Sequence, residues 1–256
     1  DKASGERGFR FVGGPVFTNV LLADEINRTP PKTQAALLEA MQEKQVTAGG
    51  QRHVLPNPFF VLATQNPIEQ EGTYPLPEAQ LDRFMLNVLV DYPDEADELE
   101  IIKQTTDEDA VELSPVLDAD QILEAARIAR QVPIADHVAR FALQLTRLTR
   151  PGQAGSLEVV EECVMWGAGP RAGQNLVLAA KVQALMSGRF SVDLEDIQTV
   201  AYPVLRHRIK TNFNAESDGI SADDIVGQLI EHLLQGTDNE GQRAKLPEVF
   251  RSPDAG

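Results

Sequence analysis

Four aliphatic residues, Val20-Leu21-Leu22-Ala23, run without a break into two adjacent acids, Asp24 and Glu25. A short apolar run bounded by turn residues suits a strand buried on both faces, as in a parallel sheet. A second run, Phe59-Phe60-Val61-Leu62-Ala63, leads into Thr64-Gln65-Asn66-Pro67, and a third spans Met85 to Val90. The three runs predict an α/β core in roughly the first ninety residues. Between the first two lies a helix signal. Thr29 is placed to cap it, Pro30 and Pro31 fit its first turn, and Ala35, Leu37, Leu38 and Met41 form an apolar stripe. Gln45-Val46-Thr47 and His53-Val54-Leu55 flank Gly49-Gly50, which predicts a hairpin inserted in this core.

The pattern changes further along. Asp91 to Glu100 is acidic, carries Pro93, and reads as a connector leading into a helix. From about Asp118 the apolar residues recur at helical spacing. Examples are Val138, Phe141, Ala142 and Leu145, then Ile197, Val200, Ala201 and Val204. Ser221 and Asp224 form a capping-box pattern ahead of Ile225, Leu229 and Ile230. The expected division is a core over residues 1–92, a connector over 93–117, an all-helical unit over 118–235 and a polar tail over 236–256.

Composition narrows the function classes. The net charge is −16 over 256 residues, which argues against a general nucleic-acid binder, since such binding rests on Lys and Arg neutralising phosphates. A single cysteine, Cys163, excludes an intrachain disulfide, and its apolar neighbours Val164, Met165 and Trp166 suit a buried structural thiol. His53, His137, His207 and His232 show no metal-ligand spacing. No apolar run is long enough to cross a bilayer, and no signal peptide opens the sequence. A reducing cytoplasm is the default compartment. A first residue of Asp instead of Met points to a fragment or a trimmed chain.

Two carboxylates at the C-terminal end of a buried strand sit where open α/β sheets bind ligands. The aliphatic-Asp-Glu string is a Walker B pattern. In it Asp24 holds Mg²⁺ through water, because that ion keeps much of its hydration shell, and Glu25 orients and polarises the attacking water. Taken alone, the string also fits a core strand that runs into an acidic turn. Asn66 lies just past the second strand, and in a parallel sheet neighbouring strand ends lie side by side. Alone, Asn before Pro is turn chemistry; after such a strand it fits a sensor 1 residue sharing a water or phosphate oxygen with Glu25. Arg83, in Leu81-Asp82-Arg83-Phe84, fits either a surface ion pair or an arginine finger that reaches a neighbour's γ-phosphate. Arg171 follows Gly167-Ala168-Gly169-Pro170 and is expected to open a helix, where anions are already favoured. That suits sensor 2, or an ordinary surface arginine.

Longer strings carry a resemblance. Ala23-Asp24-Glu25-Ile26-Asn27-Arg28, the run from Pro30 to Glu43, Ala63-Thr64-Gln65-Asn66-Pro67, and the run from Tyr74 to Phe84 all resemble the MoxR family of AAA+ ATPases. Gly167 to Ala172 is similar to that family's lid motif, with Gly169 where Ser is more usual. The resemblance reaches to about Leu234. It implies a P-loop NTPase core followed by a helical lid, an ATP and Mg²⁺ site at subunit junctions, and a ring, typically a hexamer. It implies a chaperone-like role on client proteins, often ones with a von Willebrand factor A domain. The hairpin near Gly49-Gly50 matches an insertion before sensor 1 in this branch, and the resemblance makes a place facing the ring pore and a client an expectation.

One departure stands out. The family carries a P-loop upstream of Walker B, and only nineteen residues precede Val20. Gly5, Gly8, Gly13 and Gly14 are there, but none forms a glycine loop leading to Lys-Thr or Lys-Ser. The expectation is a core lacking its N-terminal part. The alternatives are a P-loop-less scaffold that does not hydrolyse ATP, and a chelatase-subunit-like AAA+ protein.

Overall fold

The computed structural model describes residues 11–66, 72–106 and 113–243, with side chains to residue 236 in the last helix. Pro67, the glycines before residue 11 and the tail after residue 243 lie outside the described residues. The chain packs as two units. The first holds residues 1–83 and 89–128, and the second holds 84–88 and 129–256.

In the first unit, β1 (Val20–Ala23) pairs in parallel with β4 (Phe60–Ala63), with Val20 opposite Phe60 and Ala23 opposite Ala63. Between them run α1 (Pro31–Glu43), β2 (Gln45–Ala48) and β3 (Gln51–Val54). Pro31 opens α1 as expected, but Thr29 does not cap it. Its hydroxyl donates to the Ile26 carbonyl at 2.7 Å and closes a short 3-10 turn over Ile26–Arg28 instead. β2 and β3 form the expected antiparallel hairpin. Gly49 and Gly50 carry φ of 57° and 75°, the positive pair that a tight two-residue turn demands. Ala40, Leu55 and Phe59 form a small core, with Val16, Phe17, Leu21, Met41, Val46 and Val61 packed on it. Two short helices follow: α2 (Glu78–Leu81) and α3 (Glu95–Thr106). Next comes α4 (Ala119–Gln131).

Met85 to Val90 is not a strand. The Met85 and Asn87 carbonyls, and that of Phe84 just before them, are taken by side chains of the second unit. Arg208 donates to Phe84 O at 2.5 Å and Met85 O at 3.2 Å, and the His207 ring meets Phe84 O at 3.2 Å. Arg206 donates to Asn87 O at 3.3 Å, and the Asn87 N–H bonds the Pro203 carbonyl at 2.7 Å. Backbone polar groups must be satisfied somewhere, and here guanidinium and imidazole groups satisfy them.

The second unit is a helical bundle. Its elements are α5 (Asp136–Leu148), α6 (Glu158–Cys163), β5 (Val164–Trp166), α7 (Pro170–Met186), α8 (Leu194–Leu205), β6 (Lys210–Thr211), α9 (Phe213–Asp218) and α10 (Ala222–Arg243). Val138, Phe141 and Leu145 of α5 meet Leu176 and Ala180 of α7, Ile197 and Val204 of α8, and Ile225 and Leu229 of α10 in one core. These are the positions that the helical spacing selected. The Ser221–Asp224 capping box forms: the Ser221 N–H donates to Asp224 at 2.8 Å and the Asp224 N–H to Ser221 Oγ at 3.1 Å. Two features carried no periodic signal. β5 and β6 pair antiparallel, and α10 runs through Gly236 to Arg243. Cys163 is buried, and its burial, then the charges of Asp218 and Glu162, push its thiol pKa up, away from a reactive thiolate.

Candidate functional site: an acidic turn beside a parallel strand end

Parallel pairing decides the site. Ala23 and Ala63 are opposite one another, so the segments that leave both strands, Asp24–Glu25 and Thr64–Asn66, emerge at the same end of the sheet. Hydrogen bonds then tie the two exits together. The Thr64 N–H donates to the Ala23 carbonyl at 3.1 Å, and the Ile26 N–H donates to the Thr64 carbonyl at 3.0 Å. The Thr64 hydroxyl donates to Asp24 Oδ1 at 2.6 Å and accepts from the Glu25 N–H at 2.8 Å. Asn27 Nδ2 reaches the Asn66 carbonyl at 3.4 Å, and Asn27 Oδ1 is buried without a hydrogen-bond partner.

The turn is strained. Glu25 has φ 47° and ψ 51°, the left-handed region, which costs a non-glycine residue roughly 1–2 kcal/mol. Such conformations persist where surrounding bonds over-determine them, and they gather at functional sites. Glu25 pairs with Arg28 at 3.0 Å, with 37% and 46% of the two side chains exposed. An ion pair that open to water is worth little, so it leaves the Glu25 carboxylate free to turn elsewhere.

Gln34 braces the turn from below. It is 1% exposed, and its amide donates to the Ile26 carbonyl at 3.1 Å and the Tyr74 carbonyl at 2.9 Å. The Tyr74 N–H in turn bonds the Asn27 carbonyl. The segment that leads to Arg83 is thereby joined to the acidic turn. Arg83 itself donates to the Leu38 carbonyl at 3.3 Å and lines a cavity of about 350 Å³ with Glu39, Gln42, Glu43 and Gln80. Asp24, Glu25 and Asn66 do not line that cavity. A second, apolar hollow of about 330 Å³ lies beside Asp24, walled by Leu21, Ile26, Leu37 and Val46.

Arg171 stands in the second unit. Gly169 precedes α7, Pro170 opens it and Arg171 follows, as expected of a helix-opening arginine. The loop before it is tightly packed. A Cβ on Gly167 would lie 2.3 Å from the Thr149 carbonyl oxygen, Ala168 N–H bonds Thr149 Oγ1 at 2.9 Å, and Arg150 donates to the Ala168 carbonyl at 2.7 Å. So four of the five expected site residues lie in the first unit. Asp24, Glu25 and the backbone of Asn66 leave the same end of the β1–β4 pair. Thr64, Asn27 and Gln34 are additions. All three lie inside the strings that carry the family resemblance, but their partners are far away in sequence.

The acidic turn fits a hard cation. Asp24 is exposed, and Thr64 engages one oxygen of its carboxylate. Among the described residues no three His, Cys, Asp or Glu side chains gather into a metal cage. A lone carboxylate with oxygen neighbours suits Mg²⁺, which keeps several waters and draws its other ligands from substrate phosphates.

Comparison with known proteins matches both parts of the chain. Residues 2–86 match the family described as ATPase family associated with various cellular activities (AAA), and residues 157–229 match the AAA lid domain. Chaperone MoxR1 of Mycobacterium tuberculosis is 38% identical over 95% of this chain and 61% of its own. The uncharacterised protein YeaC of Bacillus subtilis is 40% identical over 87% of this chain and 67% of its own. The crystal structure of a candidate ATPase from Cytophaga hutchinsonii superposes with a TM-score of 0.81 at 43% identity, covering 85% of this chain and 66% of that one. The chain thus spans about two-thirds of the length of these relatives. On the identity it shares with them and on the paired core and lid matches, the chain belongs to the MoxR family of AAA+ ATPases.

Proposed function

We propose that the protein hydrolyses ATP and uses the energy to remodel or mature a partner protein. One observation carries this reading: the parallel β1–β4 pair sends the Asp24–Glu25 and Thr64–Asn66 segments out at one end of the sheet, tied by the Thr64 side chain to Asp24 and by Asn27 to the Asn66 carbonyl. In it Asp24 holds hydrated Mg²⁺, Glu25 orients the attacking water, and Asn66 contacts the γ-phosphate or that water. Bound Mg²⁺ supplies neutralisation of the phosphate charge that builds up during transfer. The chain's own task is positioning, which is most of what phosphoryl transfer to water requires. Arg171 couples the helical lid to nucleotide state. Arg83, which lines a cavity with Glu39, Gln42, Glu43 and Gln80, serves the site of a neighbouring subunit in this reading.

The same reading makes the working form a ring, expected to be a hexamer, with a client protein that carries a von Willebrand factor A domain. The relative named as a chaperone supports the remodelling role. No described helix is long and apolar enough to cross a membrane, and we place the protein in the cytoplasm. The net charge of −16 disfavours DNA as the client.

The test is Glu25→Gln in the complete protein. The variant keeps ATP binding and loses turnover by about a hundredfold or more, the scale of a lost base or water-orienting group. Single-turnover hydrolysis and nucleotide retention on a desalting column measure both. Hydrolysis at the unsubstituted rate removes Glu25 from the reaction.

A further inference from the structure

Thr64 meets four consecutive residues of the acidic turn: the carbonyl of Ala23, the carboxylate of Asp24 and the N–H groups of Glu25 and Ile26. Two of these bonds are made by one hydroxyl, which has a single proton. The Glu25 N–H can only donate, so it takes a lone pair of Oγ1, and the hydroxyl proton is left for Asp24 Oδ1. The bond engages Oδ1 of the carboxylate and restricts its rotation, and Oδ2 is left for other partners. The same oxygen holds the Glu25 amide, and Glu25 is the one residue of this turn in the left-handed region. A threonine suits the place sterically as well, since a β-branched residue fits the end of β4.

We propose that Thr64 is the positioning residue of the acidic turn, its hydroxyl setting the Asp24 carboxylate for the metal and the Glu25 backbone for its strained conformation. The inference rests on the reading of Asp24 as the residue that holds hydrated Mg²⁺. Groups that orient a metal's ligands from behind are worth about ten- to a hundredfold in metal affinity or activity. A merely structural threonine at a strand end would change thermal stability and leave metal affinity alone.

The experiment uses the complete protein, with Mn²⁺ and a non-hydrolysable ATP analogue as the probe and free Mn²⁺ read by electron paramagnetic resonance. Thr64→Val, which keeps the shape and removes the hydroxyl, weakens Mn²⁺ binding about tenfold or more. Thr64→Ser, which returns the hydroxyl, restores most of the affinity. In a background of Asp24→Ala, Thr64→Val adds no further loss, because both changes act through one carboxylate. If the valine protein does not fold, Thr64→Ala replaces it in the same titration. Affinity unchanged in the valine protein overturns the inference, as does a serine variant as weak as valine, or losses that add in the double variant. If Asp24→Ala alone keeps full affinity, the metal reading of Asp24 falls and this inference falls with it. If Asp24→Ala loses affinity and Thr64→Val does not, only the inference fails.

Discussion

Asp196 shows how much one buried carboxylate does in this chain. It is 1% exposed, accepts the Asp193 N–H at 2.8 Å in the capping box of α8, and is bonded twice by Arg189, once at 2.7 Å. Burial works against its charge, but the Arg189 and Asp193 bonds outweigh burial and hold its pKa below the ordinary 3.8. A group whose folded pKa is depressed adds stability above its unfolded pKa and loses it as pH falls through the folded value. The contribution of Asp196 is therefore complete near neutrality and fades below pH 3.8. Asp196→Asn is expected to lower stability by about 2 kcal/mol near neutrality, through a weaker cap and a lost charged bond. Arg189 is 39% exposed, so water screens part of the pair and keeps the loss from being larger. Urea melts from about pH 6 to about pH 2.5 check this, and the variant should lose less stability on acidification than the parent. Equal acid sensitivity in the two proteins would refute the assignment.

At the scale of elements, the loop that leads into α7 and Arg171 is closely packed against Thr149 and Arg150. Gly167 has no room for a side chain against the Thr149 carbonyl, and a backbone atom cannot swing aside as a flexible side chain can. Gly167→Ala is expected to cost about 1–3 kcal/mol, the usual range for overpacking. Gly169→Ala, a position with open space around its Cβ site, should cost far less. Thermal melts of the two alanine variants make the comparison, and equal losses would contradict it. The stretch from Phe84 to Asn87 makes the complementary point. Its composition asks for a strand, yet Arg206, His207 and Arg208 take its carbonyls, and Arg206 is itself held by Asp223 at 2.8 Å. An extended apolar segment becomes a strand only where a partner offers a ladder.

On the scale of the whole molecule, the proposed role of Arg83 in a neighbour's site becomes a prediction about assembly. If Arg83 completes a neighbour's site, Arg83→Ala and Glu25→Gln damage different halves of one junction. Each variant alone should be nearly inactive. In an equal mixture, some junctions receive an intact Glu25 from one subunit and an intact Arg83 from the other, so hydrolysis should return to a measurable fraction of the parent rate. ATPase assays on mixtures at several ratios read this directly. No recovery in rings shown to be mixed would place Arg83 within its own subunit's site or outside the reaction.

The sequence by itself determined the elements whose signals are local. The aliphatic run into Asp24 and Glu25, the Gly49-Gly50 turn, the Ser221–Asp224 cap and the helical spacing of Phe141, Leu145, Ile197 and Val204 all lie within a few residues of what they specify. The pairing of the two strand ends was legible too, because parallel strands bring matching ends together. Tertiary structure decided the rest. The Thr64 hydroxyl and the Asp24 carboxylate are 40 residues apart, Gln34 and the Tyr74 carbonyl also 40, and Arg208 and the Phe84 carbonyl 124. A hydrogen bond acts over about 3 Å of space, so no residue pattern confined to one segment reveals who meets whom across such distances. The chain's chemistry-bearing residue types were written in order along the sequence, and the fold chose their partners.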